Sequence, residues 1–290
     1  YPRFDRRLTK SFFYLFHPNR FGMAHLLVIT AHADDLEFFC GGTVCKATRQ
    51  GHTADLIIAT AGSRGTAEMD LDPLQLAQQR DEESRHAARI IGLREAICLG
   101  YGDGFLRDVP MNTLRERLIS EIRARRPEVI LTFDPADATD GHPDHHHTAV
   151  AASEAARFAR LPQYHSEHLA RGLPPHNARE VYYFARTPQA ADKVVDVGEH
   201  LETQIAALQA HASQMRFLAA QMITEAQVLG APTEVIDELK SADVIAESIR
   251  RRAAAFGMPH GLKAAEVFRR ERSFVMSLLR PSSWQPQDIL

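Results

Sequence analysis

Short apolar runs, each closed by a polar loop and followed by an amphipathic stretch, recur through the first two thirds of the chain. The runs at His25 to Thr30, Asp55 to Thr60, Ala96 to Leu99 and Glu128 to Phe133 lack the in-and-out alternation of a half-exposed strand. They read as strands of a parallel sheet buried on both faces. Helical periodicity fills the intervals, from Gly41 to Gln50, with Gly51 as a stop, and over about Leu74 to Ile91 and Asn112 to Arg125. Strands alternating with helices predict an α/β fold: a Rossmann-like, doubly wound, mostly parallel sheet with helices on both faces. A helix from His145 to Arg160 and a strand from Glu180 to Ala185 continue the pattern. Beyond Val195, helical spacing over Glu199 to Leu229 and Thr233 to Ala255 predicts a helical C-terminal elaboration. No repeat or Gly/Ser/Pro-rich linker divides the chain, so a single domain is expected over 25–275, with an N-terminal extension (1–24) and a C-terminal tail (276–290).

Composition narrows the partners. The 37 acidic and 34 basic residues are interspersed, leaving a net charge of −3 and no basic face for nucleic acid. No apolar run approaches the roughly 20 residues that cross a bilayer, and the first segment lacks a signal peptide's apolar core, so no membrane association is expected. Cys40, Cys45 and Cys98 are odd in number and lack C-x-x-C spacing, which argues against a disulfide framework or a thiolate zinc site and fits a reducing cytoplasm. A small-molecule substrate is the expected partner.

Two polar clusters carry the chemistry. Ala31-His32-Ala33-Asp34-Asp35-Leu36-Glu37 places an imidazole and three carboxylates just past the first strand. Adjacent carboxylates repel when both are ionised, and a bound cation is the usual means of keeping them charged. Asp140-Gly141-His142-Pro143-Asp144-His145-His146-His147 follows the fourth strand. In a 3-2-1-4 strand order the first and fourth strands are neighbours, so both clusters meet at the crevice where the order reverses. Two imidazoles and one carboxylate, with a position left for water, match an open catalytic zinc site; the same donors accept other divalent transition metals. Asp34 suits a general base, His142 a group that stabilises a tetrahedral intermediate and protonates the departing amine, and Asp144 the acid that keeps His142 oriented. In the second cluster, spacing alone leaves the ligand open between His145 and an i, i+4 pair of His142 and His146. The bland alternative, in which Asp34 or Asp35 merely caps a helix, explains one carboxylate and not the set.

These clusters resemble the paired signatures A-H-P-D-D-x-E and H-P-D-H of the LmbE-like or PIG-L-type zinc-dependent N-deacetylases. Gly41-Gly42-Thr43, Gly62-Ser63-Arg64-Gly65-Thr66, Asp103-Gly104-Phe105-Leu106 and Gly257 to Phe268 extend the resemblance over roughly residues 25–275, the last looking like the G-x-K-x-A-E-x-F stretch of bacillithiol-type sugar deacetylases. The resemblance implies Zn2+ on His32, Asp35 and His145, with Asp34 as base and His142 as acid. It further implies hydrolysis of an N-acetyl group from an N-acetylglucosamine-type sugar or conjugate, and a homo-oligomer, trimer or hexamer. An amidase acting on a larger amide and a metal-bearing, non-catalytic sugar-binding homologue are the rival readings. Two departures stand out: Ala33 replaces the signature proline, and Asp140 stands where some members place a tyrosine. Arg64 is either a substrate-binding cation or a solvated residue of a glycine-flanked turn. Loops Gly62 to Pro73 and His165 to Asn177 are expected to carry specificity, and Gly41-Gly42 reads as close helix packing, not a phosphate loop.

Overall fold

The computed structural model describes residues 22–188, 190–241, 243–271 and 289–290. Most of the N-terminal extension and most of the C-terminal tail lie outside these residues. Seven strands form one sheet in the order β3-β2-β1-β4-β5-β7-β6. They are β1 (His25–Thr30), β2 (Thr53–Thr60), β3 (Glu95–Tyr101), β4 (Val129–Phe133), β5 (Glu180–Phe184), β6 (Lys193–Asp196) and β7 (Ala265–Arg270). The first five are parallel, and β7 runs antiparallel to both β5 and β6. The expected doubly wound sheet is borne out, with β1 beside β4 as the 3-2-1-4 order requires.

Alternate residues along each central strand serve opposite layers. Leu26, Val28, Leu56, Ile58, Leu131 and Phe133 face one core, which also takes residues of α1 (Asp35–Phe39), α2 (Gly41–Arg49) and α3 (Pro73–Ile91). Leu27, Ile29, Ile57 and Ile130 face the other, formed with α4 (Met111–Arg125) and α5 (Pro143–Phe158). The C-terminal helices α6 (Leu201–Gln209), α7 (Ala212–Val228), α8 (Thr233–Leu239) and α9 (Val244–Gly257) extend the first layer.

The expected helix over Glu199 to Leu229 is two helices, broken at Ala210 and His211. The break turns the His211 ring inward, where its Nε2 lies 3.4 Å from buried Glu37. Strands β6 and β7 were not legible as strands, because Lys193–Asp196 is short and partly exposed and β7 carries Glu266, Arg269 and Arg270 among its apolar residues. Glu266 has a specific use: its two carboxylate oxygens accept the N–H groups of Gly42 and Thr43 at 3.0 and 2.7 Å, closing the start of α2. A Cβ on Gly42 would meet Val197 at 2.8 Å, so the close-packing reading of Gly41-Gly42 holds.

At the opposite end of the strands from the polar clusters, Asp55 accepts Arg94 Nε and Nη2 at 3.0 and 2.5 Å and lies 3.3 Å from His25. Burial alone would push its carboxyl up, but hydrogen bonds from His25 and Arg94 overcome this and hold it down at about 2. A depressed folded-state value stabilises the fold above the unfolded pKa of about 4, and that contribution disappears as pH falls through about 2. Asp55→Asn is therefore expected to cost about 2 kcal/mol at neutral pH and to flatten the pH dependence of stability between about pH 4 and 2, read by urea unfolding.

Candidate metal centre and active site

The clusters converge at the carboxyl edge of β1 and β4, where the strand order reverses. Thr30 Oγ1 donates to His32 O and Thr60 Oγ1 to Ala31 O, each at 2.9 Å, which pins the loop after β1. Helix begins sooner than the sequence suggests, at Asp35, with Asp34 at the N-cap position. The Asp34 carboxylate makes no cap hydrogen bond, so the capping explanation does not account for it. Asp35 folds back, its Oδ2 accepting the N–H groups of Ala31 and His32 at 3.1 and 2.6 Å. That leaves Oδ1 facing His145 Nε2 at 3.3 Å.

The three expected ligands form a tight triangle. His32 Nδ1 lies 3.1 Å from His145 Nε2 and 3.6 Å from Asp35 Oδ2. Tetrahedral zinc with bonds of about 2.0–2.1 Å spaces its ligand atoms by roughly 3.3 Å, so the donor atoms fit such an ion in both type and separation. His32 Nε2 is buried without a hydrogen bond, flanked by Asp103 Oδ1 at 3.4 Å and Asp144 Oδ2 at 3.5 Å. The charges of the triangle and its neighbours pair with one another. Burial would lower the His145 pKa, yet the charge and hydrogen bonds of Asp35 and Asp140 lift it to about 9. Burial is likewise outweighed at His32, where Asp103, Asp144 and Asp35 raise it. For Asp35, burial is outweighed by His145 and His32, which hold its carboxyl far below the usual range. Asp34 moves the other way, raised by burial and then by the neighbouring Asp35 charge. This is a pocket that favours positive charge.

In the second cluster, His142 and His145 both come within ligand distance of His32. His145 is buried on α5 and faces the triangle, whereas His146 is exposed and His147 Nε2 bonds Val109 O at 3.1 Å. His142 occupies the N-cap of α5, its Nδ1 accepting the Asp144 N–H at 3.2 Å, so a neutral ring carries its proton on Nε2. Its ring lies edge-on to His32, with centroids 4.6 Å apart.

Asp144 differs from expectation, because its carboxylate does not orient His142. The fully buried group accepts Gly104 N–H at 2.7 Å and Leu106 N–H at 3.1 Å and turns to His32, leaving only its backbone amide on His142. The third carboxylate of the first loop, Glu37, faces His211 instead of the triangle. Arg64 is exposed at the rim, its guanidinium 4.6 Å above the Phe105 ring and its N–H on Asp103 at 2.9 Å. The loop from His165 to Asn177 lies away from the site. It follows the far end of α5 and reaches the amino ends of β4 and β5, where His176 Nε2 bonds Pro127 O at 2.7 Å.

Two contributors escaped the sequence reading. Asp140 bonds His145 Nδ1 at 2.6 Å. Arg80, buried on α3, donates to Gly65 O at 2.7 Å and to Gln214, and a Cβ on Gly62 would come within 3.0 Å of its Cδ. Gly62 has a φ of +64°, so it suits this close approach twice over. The signal for Arg80 was available: it shares the i, i+4 stripe of Leu76, Ser84 and Ala88, all buried. A second His/Glu group, Glu116, His165 and His168, does not suit a metal. Arg123 Nη1 lies 3.2 Å from His168 Nδ1, so the proton belongs on Nε2, which is given to Glu116 at 2.8 Å. Coordination through Nε2 would force an N–H against the guanidinium.

An open α/β sheet with a carboxylate–imidazole triangle at its switch point, able to hold a divalent cation, is the class that fold and site define. The chain belongs to the PIG-L family of GlcNAc-PI de-N-acetylases, whose pattern it matches over residues 27–156. It is 33% identical over 191 residues to diacetylchitobiose deacetylase of Thermococcus kodakarensis, covering 65% of this chain and 69% of that one. To a 1D-myo-inositol 2-acetamido-2-deoxy-alpha-D-glucopyranoside deacetylase of a Mycobacterium species it is 30% identical over 234 residues, 67% of this chain and 75% of the relative. Among solved structures, N,N'-diacetylchitobiose deacetylase from Pyrococcus horikoshii superposes with a TM-score of 0.72 at 22% identity, over 97% of this chain and 99% of that one. At that identity the likeness speaks for the fold. The expectation of an enzyme of the deacetylase class is borne out by the family. Among the described residues no helix is long and apolar enough to cross a membrane.

Proposed function

We propose that this chain removes an N-acetyl group from a small N-acetylglucosamine-type sugar or sugar conjugate, using a divalent cation, zinc first among them. The observation that carries the reading is the triangle of His32, Asp35 and His145 with Asp34 beside it, supported by family membership. A cation on these three residues would polarise the amide carbonyl and lower the pKa of water in the site. Asp34, free of any capping duty and made more basic by burial, accepts the proton of the attacking water. His142, whose neutral ring carries its proton on Nε2, donates that N–H to the charge that develops on the carbonyl oxygen, and the proton taken up by Asp34 passes on to the departing amine. Asp144 acts on His32 instead, as a carboxylate behind a ligand imidazole. Arg64 and Phe105 form the rim that meets the remainder of the substrate. The free thiols of Cys40, Cys45 and Cys98 accord with a reducing cytoplasm.

Product analysis on a panel of N-acetylated sugars, with zinc restored to the protein, tests this. Acetate and free amine are expected in equal amounts. A larger acid released in place of acetate would favour the amidase reading, and tight sugar binding without turnover would favour a non-catalytic homologue.

A further inference from the structure

The ligand role of His145 leaves unexplained what selects the nitrogen it presents. Its ring plane is held by stacking, with the Phe133 centroid 4.3 Å away at 21° and the His142 centroid 4.7 Å away at 24°. Stacking does not distinguish a ring from its flipped form, nor one tautomer from the other. Asp140 does both. Its Oδ1 accepts the His142 N–H at 3.1 Å, an Asx-type turn that fixes the carboxylate, and Arg186 Nε lies 3.7 Å from the same oxygen. Oδ2 is thereby aimed at His145 Nδ1 at 2.6 Å. A carboxylate there calls for an N–H on Nδ1, which leaves the Nε2 lone pair directed at Asp35 Oδ1 and His32 Nδ1, 3.3 and 3.1 Å away. The flipped ring would turn a carbon toward the triangle.

We propose that Asp140 is a positioning residue for the metal centre, setting the tautomer and ring orientation of His145 so that Nε2 is free to bind the cation. The acid is thus more than a missing tyrosine: it does its work through His145, at the ring nitrogen turned away from His32 and Asp35. The inference rests on His145 being a metal ligand, and carboxylates behind ligand imidazoles typically contribute 10- to 100-fold in metal affinity.

The test is zinc affinity, measured by competition with a chromophoric chelator on metal-free protein. Asp140→Ala is expected to weaken zinc binding about 10- to 100-fold and Asp140→Asn, which keeps an acceptor without the charge, by a smaller factor. In zinc-loaded wild-type protein the His145 Nδ1–H should give a downfield proton resonance that moves upfield in Asp140→Asn and is lost in Asp140→Ala; a merely structural residue would not move it. If Asp140→Ala does not fold, Asp140→Asn carries the test. Unchanged zinc affinity in a folded Asp140 variant, while His145→Ala loses zinc, overturns the proposal and leaves the ligand assignment intact. Unchanged affinity in His145→Ala overturns the ligand assignment itself.

Discussion

Asp34→Asn is expected to lower turnover by about 10²- to 10⁴-fold while leaving the metal content of the protein unchanged. The substitution is nearly isosteric and removes only the ability to accept a proton. Asp34 is buried and its carboxylate makes no cap bond at the start of α1; its charge faces Asp35 on one side and His211, His32 and Arg80 on the other. Asp34→Asn relieves repulsion with Asp35 and gives up attraction to His211, His32 and Arg80, so urea unfolding of the variant separates loss of fold from loss of the base. Steady-state rates and metal analysis on the same preparation decide the matter. Retention of more than about a tenth of the activity would remove Asp34 from the base role. Loss of metal together with activity would move it into the ligand set.

Asp35→Ala is expected to act on the other half of the site, weakening metal binding by more than about 100-fold, beyond what an outer carboxylate contributes. Activity should fall in parallel and recover only at high metal concentration. The same change leaves the N–H groups of Ala31 and His32 without their acceptor, so the metal-free variant should also lose about 1–3 kcal/mol of stability in urea unfolding. Affinity within threefold of wild type would place the cation on donors other than Asp35, either His32 with His142 and His145 or His32 with Asp103 and Asp144.

The parallel half of the sheet and the meeting of the two clusters were legible because both follow from local pattern. Apolar runs such as Leu26 to Ile29 have few alternatives to a doubly buried strand, and the neighbouring of β1 and β4 follows from the commonest order of such sheets. What was missed depends on long-range pairs. His211 breaks a helix to reach Glu37, 174 positions earlier in the sequence by subtraction of their numbers, and nothing near Ala210 announces the break. Glu266 looked like one acid of a late motif until it closed the start of α2. Asp144 illustrates a subtler limit. Its position beside His142 suggested that it orients that ring, but at a helix N-terminus the backbone N–H is the near neighbour, and the side chain is free to reach the Gly104 to Leu106 turn and His32. Asp140, two residues before His142, was in view as a departure from tyrosine; its bond to His145 is the kind of outer contact that a ligand motif does not encode.

The central claim is that His32, Asp35 and His145 together hold a divalent cation. Crystals grown with zinc and measured at its absorption edge test it directly. The account predicts one strong anomalous peak bounded by His32 Nδ1, His145 Nε2 and the Asp35 carboxylate. A peak between His32 Nε2, Asp103 and Asp144, or between His165 and His168, with none in the triangle, would contradict it.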